Sequence, residues 1–176
     1  MKRGGWAMAR NMTTTAILVL TTGGTIDKNY FDALSEYQIV DSGIPALLKE
    51  ARVALPFRIE EVCRKDSLEL TDDDRAELAR RVAAAPETRI VITHGTDPMT
   101  DTAKALAGIA GKTIVLTGAL SPARFAETDA PFNLGMAFAA AQVAPPGVYI
   151  AMSGQVFDGL KVRKDRAAGR FVATGA

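Results

Sequence analysis

The sequence contains a single cysteine and a single histidine among 176 residues. Cys63 therefore cannot form a disulfide within the chain, which is compatible with a reducing compartment, and we expect a cytoplasmic protein. Cys63 and His94 together are too few to supply the ligands of a zinc or iron site, so we expect no metal and no cofactor. A Ser-His-Asp triad is also disfavoured, because the Gly-x-Ser-x-Gly motif is missing. We expect His94 to be a strand-end residue that is hydrogen-bonded to the backbone.

An excess of charge of one sign and a long apolar run are missing as well. Lysine and arginine number 21 against 20 aspartates and glutamates, and no basic patch alternates with aromatic residues, so we expect no nucleic-acid partner. No apolar segment approaches the ~20 residues that span a bilayer, so we expect no membrane partner. The N-terminal apolar run covers only residues 16–20 and leads into a Gly-Gly-Thr turn, which argues against a signal peptide. We interpret residues 1–14 as a disordered leader and residues 15–176 as one domain.

The sequence does contain a regular alternation of strand and helix patterns. Short segments rich in valine and isoleucine predict β-strands at residues 17–20, 57–63, 90–93, 113–116 and 148–152. The segments between them predict helices at residues 44–51, 72–84 with Thr71 as N-cap, 99–109 and 131–142. Short apolar strands that alternate with helices are typical of parallel β-α units in a doubly wound sheet. Further on, Asp158-Gly159 between two short apolar segments predicts a C-terminal β-hairpin.

Polar residues follow each predicted strand, at the edge where open α/β sheets bind their ligands. Behind the first strand stand Gly23, Gly24 and Thr25. This turn lacks the Gly-Lys-Ser/Thr ending of a phosphate-binding loop and the three spaced glycines of a dinucleotide site, so phosphate binding is disfavoured. Since metal sites and histidine triads are also disfavoured, a hydroxyl nucleophile activated by a lysine remains, a known arrangement in acyl transfer.

Five motifs together resemble the successive signatures of the bacterial-type L-asparaginases. In chain order they are TTGGTI at 21–26, ITHGTD at 92–97, VLTGA at 115–119, DAPFN at 129–133 and FDGLKVRK at 157–164. They extend over nearly the whole chain in the order of the family. The usual member continues into a second α/β domain, so this chain resembles the short, single-domain form. The resemblance implies a single flavodoxin-like (Rossmann-like) α/β domain, with a mainly parallel sheet and helices on both faces, that hydrolyses L-asparagine to L-aspartate and ammonia.

The resemblance also implies roles for particular residues. Thr25 would be the nucleophile that forms an acyl-enzyme, and Tyr30 on the following loop would assist it. Thr96, Asp97 and Lys164 would form a hydrogen-bonded group that positions and deprotonates. From the sequence alone, Thr25 could instead be a turn hydroxyl bonded to its own backbone, and Lys164 a solvated surface charge.

Contacts to the substrate follow from the same resemblance. Asp97 would also hold the α-amino group, Ser67 would receive the α-carboxylate, and the turns at Gly24, Gly95 and Thr96 would contribute backbone N–H groups that hold the oxyanion. Asp97 stands directly before a proline, however, which is equally typical of a helix N-cap. Both roles are compatible, because a cap uses one carboxylate oxygen and leaves the other free.

Substrate preference and assembly stay open at this point. Glutamine or another small amide could be preferred, and a non-catalytic amino-acid-binding module could be built on the same fold. In longer relatives, the second domain reaches into a neighbouring subunit's site to bind the substrate's amino group. The predicted helix at 131–142 carries apolar residues around much of its circumference, which predicts a homodimer or homotetramer. These residues include Phe132, Leu134, Met136 and Phe138.

Overall fold

The computed structural model describes residues 16–31 and 36–175, so the leader predicted at residues 1–14 lies outside the described residues. Within these ranges the chain forms ten β-strands: β1 Ile17–Gly23, β2 Lys28–Phe31, β3 Glu36–Ile39, β4 Phe57–Lys65, β5 Arg89–Thr93, β6 Thr113–Thr117, β7 Gly147–Met152, β8 Gln155–Asp158, β9 Val162–Asp165 and β10 Arg170–Ala173. The same ranges contain four α-helices: α1 Ile44–Glu50, α2 Asp72–Ala84, α3 Met99–Leu106 and α4 Ala130–Val143. None of the helices in the described residues is long and apolar enough to span a membrane.

Five parallel strands form the centre of the protein. The main sheet has the order β4-β1-β5-β6-β7-β8, and only the pairing of β7 with β8 is antiparallel. If the five parallel strands are counted along the chain, their order across the sheet is 2-1-3-4-5, which is the flavodoxin-like arrangement. The predicted fold class is therefore confirmed, and each predicted central strand is present.

Helices cover both faces of this sheet, because the central strands are apolar on both faces. Along β1, Leu18 and Leu20 pack into one core while Ile17 and Val19 pack into the other, as the alternation of side chains in a strand requires. The first core includes residues of α2 and α3, namely Leu78, Val82, Met99 and Leu106. The second includes residues of α1 and α4, namely Ile44, Leu48, Leu134 and Phe138.

The helix boundaries follow local capping signals. α2 begins after Thr71, as predicted: the Thr71 hydroxyl accepts a hydrogen bond from the backbone N–H of Asp74 at 3.3 Å, and the Asp74 carboxylate accepts one from the backbone N–H of Thr71 at 2.8 Å. This reciprocal pair is a capping box. α3 is shorter than the predicted range of 99–109, because Gly108 and Gly111 follow it and Gly111 adopts a φ of 72°.

The predicted C-terminal hairpin is present, but the predicted turn is wrong. β9 pairs with β10, whereas β8 pairs with β7 across a tight turn at Ser153 and Gly154. Both turn residues have positive φ, at 54° and 79°, as a two-residue hairpin turn requires. Gly159, in the turn predicted from the sequence, donates its N–H to the carbonyl of Val148 at 2.8 Å. That bond extends the pairing with β7, so the chain does not fold back on β8 there.

A second hairpin, formed by β2 and β3, follows the turn after β1 in a segment that the sequence analysis treated as a loop. Asp27 closes its base and is almost fully buried. The Asp27 carboxylate accepts hydrogen bonds from the Ser42 hydroxyl at 2.9 Å and the Gly43 N–H at 3.1 Å, and the Asp27 carbonyl accepts one from the Val40 N–H at 3.0 Å. Burial raises the pKa of Asp27, and the hydrogen bond from Ser42 acts in the opposite direction. These contacts tie both ends of the hairpin to the start of α1.

Candidate active site

The candidate site lies at the carboxyl ends of β1 and β5. These strands are parallel neighbours, with Thr21 beside Thr93 in the register. In the sheet order, β4 lies next to β1 and β6 lies next to β5, so the connections that leave β1 and β5 run to opposite sides of this pair. Where neighbouring connections of a doubly wound sheet diverge in this way, a crevice opens, and ligands bind there. The Gly-Gly-Thr turn after β1 and the His-Gly-Thr-Asp turn after β5 therefore meet at the ligand-binding edge of the fold.

Two glycines let the turn after β1 touch its neighbours through the backbone. Gly23 and Gly24 have φ values of 91° and 85°, which L-residues with side chains rarely adopt. A Cβ added at Gly24 would lie 2.5 Å from the backbone nitrogen of Gly95, and one added at Gly23 would lie 2.5 Å from the carbonyl oxygen of Lys65. The close approach of Gly24 to Gly95 brings the turn of Thr25 against the turn after β5.

Lys164, Thr96 and Asp97 form one hydrogen-bonded group. The Lys164 ammonium donates to the Thr96 hydroxyl at 2.7 Å and to the Asp97 carboxylate at 3.1 Å. The Lys164 side chain is only 16% exposed, so the interpretation of Lys164 as a solvated surface charge is wrong. Neighbouring Arg163 is 61% exposed, which agrees with alternation along β9. The hairpin of β9 and β10 thus places the largely buried Lys164 side chain at the end of β5.

Asp97 lies between two cations and does not cap a helix. Its carboxylate is 3.1 Å from the Lys164 ammonium and 3.3 Å from Nε of Arg166, whose side chain is 75% exposed. The N-cap position of α3 is Pro98, and no side chain caps this helix end. The capping interpretation of Asp97 is therefore wrong.

Thr25 is half-buried and opens onto a cavity of about 230 Å³. The hairpin of β2 and β3 contributes Lys28 and Tyr37 to its lining, and the loop after β6 contributes Leu120 and Pro122. The cavity is large enough for a small polar molecule next to Thr25.

Two predicted site residues have side chains that lie outside the described part of the structure. The backbone of Tyr30 lies in β2, where its Cα is opposite that of Tyr37. Ser67 begins a 3₁₀ turn, Ser67–Glu69, directly after β4. The sequence analysis missed Tyr37, which lines the cavity of Thr25. Two short segments with aromatic residues on either side of residues 32–35 are a hairpin signal that could have drawn attention to Tyr37.

His94 is fully buried and holds the turn after β5 in place. Its Nδ1 lies 2.7 Å from the Gly95 carbonyl oxygen and its Nε2 lies 2.8 Å from the Thr102 hydroxyl. Since a carbonyl only accepts, Nδ1–H donates to Gly95 and Nε2 accepts from Thr102. Burial lowers the pKa of His94 to about 4, so the ring is neutral at pH 7. The expectation of a strand-end histidine bonded to the backbone is confirmed.

The DAPFN motif supports the loop that closes the cavity. The Asp129 carboxylate accepts hydrogen bonds from the backbone N–H groups of Leu120 and Ser121, both at 3.0 Å. Asn133 donates to the Gly118 carbonyl at 3.0 Å and to Asp129 at 2.7 Å. This motif therefore fixes the backbone of the loop after β6 and so the position of Leu120 in the cavity wall.

The chemistry available at this edge of the sheet is proton transfer to and from hydroxyl groups. The described residues contain no group of three or more histidine, cysteine, aspartate or glutamate side chains that could hold a metal ion. The functional groups that are present are the hydroxyls of Thr25 and Thr96, the amine of Lys164 and the carboxylate of Asp97. A hydroxyl near a lysine and a carboxylate is an arrangement that supports nucleophilic catalysis.

Comparisons with known proteins identify similar chains. The family model described as "Asparaginase, N-terminal" matches residues 16–171. The chain is 32% identical over 163 residues to the L-asparaginase of Thermococcus kodakarensis, covering 87% of this chain and 48% of that relative. It is 30% identical over 166 residues to the glutaminase-asparaginase of Pseudomonas fluorescens, covering 84% and 45%. The crystal structure of L-asparaginase I from Vibrio cholerae superposes with a TM-score of 0.81 at 27% identity, over 93% of this chain and 52% of that one. The chain thus spans about half the length of the curated relatives it matches.

Proposed function

Because the chain belongs to the asparaginase family, matching its N-terminal domain, we propose that it hydrolyses the side-chain amide of L-asparagine to L-aspartate and ammonia. The observation that carries this proposal is the hydrogen-bonded group of Lys164, Thr96 and Asp97 at the end of β5. Beside it, the contact between Gly24 and Gly95 brings the turn of Thr25 to the same edge. Relatives named L-asparaginase support the choice of substrate.

We propose a two-step acyl transfer. The Thr25 oxygen forms a bond to the amide carbon, and its proton passes through the Thr96 hydroxyl to Lys164 in its amine form. The C–N bond then breaks as Lys164 gives that proton to the departing nitrogen, which leaves as ammonia. Water then adds to the ester, the bond to Thr25 breaks, and aspartate leaves with the threonine hydroxyl restored. Asp97 orients Lys164 and accepts a hydrogen bond from the substrate's α-amino group.

The oxyanion of both steps is held by backbone N–H groups near Thr96. In a planar trans peptide the C=O and N–H point in opposite directions. The hydrogen bond from His94 to the Gly95 carbonyl therefore also orients the N–H of Thr96. One such donor is worth ~3 kcal/mol in the transition state. His94 thus has a positioning role in this proposal, and Ser67 is proposed to receive the α-carboxylate.

Ammonia release from L-asparagine, L-glutamine and succinamic acid tests the proposed function. Turnover of L-asparagine with the largest kcat/KM supports it. Preference for glutamine would instead favour the glutaminase activity in the name of the Pseudomonas relative. Binding of asparagine without ammonia release would indicate a non-catalytic amino-acid-binding module and would contradict the proposal.

The tyrosine that assists Thr25 is expected to be Tyr37, because Tyr37 lines the cavity of Thr25. Replacing it as Tyr37→Phe removes one hydroxyl and should lower kcat by ~100-fold, the usual effect of losing a proton-transfer group. The Tyr30→Phe variant, at the position proposed from the family resemblance, is the matched control and should change kcat less. Steady-state kinetics with L-asparagine decides between the two, and a larger loss in Tyr30→Phe would return the role to Tyr30.

We also propose that the chain forms a homodimer or homotetramer. Of the four apolar residues predicted to surround α4, Leu134 and Phe138 are buried in the core, but Phe132 is 66% exposed. Phe132 and Leu120, which is 48% exposed, line an open groove of about 630 Å³ at the same edge of the sheet as the site. Exposed apolar surface of this kind is typical of an interface.

Cys63 is a free thiol, which is compatible with the cytoplasmic location that we propose.

Light scattering should give the mass of two or four chains, and Phe132→Ser should shift the mass toward one chain, because the interface loses its largest exposed apolar group. The control is Leu160→Ser. Leu160 is also an exposed apolar residue, but it lies away from the groove, beside Pro146 and Gly147 at the start of β7. Specific activity measured over a dilution series should fall as the oligomer dissociates. A wild-type monomer that stays fully active at nanomolar concentration would contradict the proposal.

A further inference from the structure

Lys28 places a positive charge beside the proposed nucleophile. It follows directly after the 3₁₀ turn Thr25–Asp27 and lines the same cavity as Thr25. Of the five described residues that line this cavity, only Lys28 has a charged side chain. A lysine in such a wall is suited to an anionic group on the molecule that occupies the cavity.

Lys28 also reaches the loop after β4. Its ammonium lies 2.5 Å from the Asp66 carboxylate, and the two side chains are 24% and 32% exposed. Asp66 in turn caps the turn Ser67–Glu69, since its carboxylate accepts a hydrogen bond from the Leu68 N–H at 3.3 Å. The ion pair therefore holds the Lys28 ammonium between the cavity of Thr25 and the turn that begins at Ser67.

The ion pair orients the ammonium without saturating it. An ammonium group has three N–H donors, so a bond to Asp66 leaves donors for a second anion. Partly exposed ion pairs contribute little to stability, so rearrangement of this pair on ligand binding costs little. Lys28 can thus keep its contact with Asp66 and donate to a carboxylate in the cavity.

The proposed site offers charges of both signs for a substrate with two charged ends. Asp97, partly exposed at the end of β5, offers a negative group, and Lys28, in the lining of the cavity of Thr25, offers a positive one. We propose that Lys28 is a specificity-determining residue that joins Ser67, the residue already proposed for this group, in binding the free carboxylate of the substrate. This inference rests on the proposed function and adds to it a residue that selects the substrate by its carboxylate.

The test uses two substrates that differ at one end. Succinamate carries a carboxylate where succinamide carries a neutral amide of similar shape. Lys28→Gln should raise KM for L-asparagine and succinamate about tenfold, the effect of losing one hydrogen bond between charged groups. Its kcat for both should change by less than about twofold, because the lost contact is made equally in the ground state and the transition state. Its kcat/KM for succinamide should equal that of the wild type.

Two further variants separate charge from structure. Lys28→Arg keeps the positive charge and should restore most of the affinity for the carboxylate. Lys161→Gln removes a 71% exposed lysine whose nearest carboxylate, on Asp158, is 3.8 Å away, and should behave as the wild type. An equal loss of kcat/KM for succinamate and succinamide in Lys28→Gln, or an unchanged KM for asparagine, would overturn the inference.

A binding measurement separates failure of this inference from failure of the proposed function. If the wild type released no ammonia from L-asparagine, L-glutamine or succinamate, the proposed function would be wrong. Calorimetry with succinate needs no turnover and should still show binding about tenfold weaker in Lys28→Gln than in the wild type. Equal affinities of the two proteins, or no binding of succinate to the wild type, would overturn the inference.

Discussion

Thr25→Ala is expected to lower kcat for L-asparagine by about 10⁴-fold or more, the scale of loss when a nucleophile that forms a covalent intermediate is removed. Thr25 lines the cavity and directly follows Gly24, which approaches Gly95 closely. The side chain is only half-buried, so the free energy of unfolding should change by less than about 1 kcal/mol. Steady-state kinetics and a thermal melt measure the two effects.

Thr25→Ser is the matched variant, because it keeps the hydroxyl and should retain part of the activity. The acyl group can also be located directly. Trypsin cleaves after Lys28 and Arg89, so Thr25 and Thr96 fall in different peptides. Mass spectrometry of enzyme quenched during turnover should show the added mass on the peptide that ends at Lys28. An adduct found only on the peptide of Thr96 would reverse the roles of the two threonines.

Lys164→Met should lower kcat by ~10²–10⁴-fold, the range for loss of a general base. Methionine is of similar length but has no nitrogen that could accept a proton. Steady-state kinetics with L-asparagine measures the size of the loss.

Lys164→Arg tests whether Lys164 acts as a base or only as a charge. An arginine keeps the positive charge near Asp97 but does not lose its proton at accessible pH. We therefore expect it to be about as inactive as the methionine variant. Lys161→Met, on the same C-terminal segment but 71% exposed, should be fully active. Wild-type activity in Lys164→Arg would mean that Lys164 serves only to position Thr96 and Asp97.

The central sheet could be predicted from the sequence because buried parallel strands are short, continuous and apolar. Ile17–Gly23 and Thr113–Thr117 are buried along their whole length, and their composition shows it. α2 could be predicted with its N-terminal boundary, since the capping box of Thr71 and Asp74 is a contact between residues three apart. Such features depend on interactions that are local in the chain.

The hairpin turn at Ser153–Gly154 could not be predicted in the same way. Asp158-Gly159 is the stronger local signal, but the N–H of Gly159 is used by Val148 in the neighbouring strand. The end of α3 at Leu106 and the hairpin that presents Tyr37 were also missed. In the case of Gly159, a partner distant in the sequence decided between conformations that the local sequence allows.

In the candidate site as well, some features follow from the sequence and others from contacts between distant residues. The sequence by itself determined which chemical groups are present: a threonine behind two glycines, a second threonine next to an aspartate, and a lysine near the C-terminus. Only the tertiary structure decided that Lys164 lies 2.7 Å from Thr96, that Asp97 pairs with Lys164 instead of capping α3, and that Lys28 shares a cavity with Thr25. The physical reason is that a hydrogen bond or ion pair acts only over a few ångströms. Residues separated by tens of positions reach that distance only when the fold brings their elements together, as it brings the hairpin of β9 and β10 to the turn after β5.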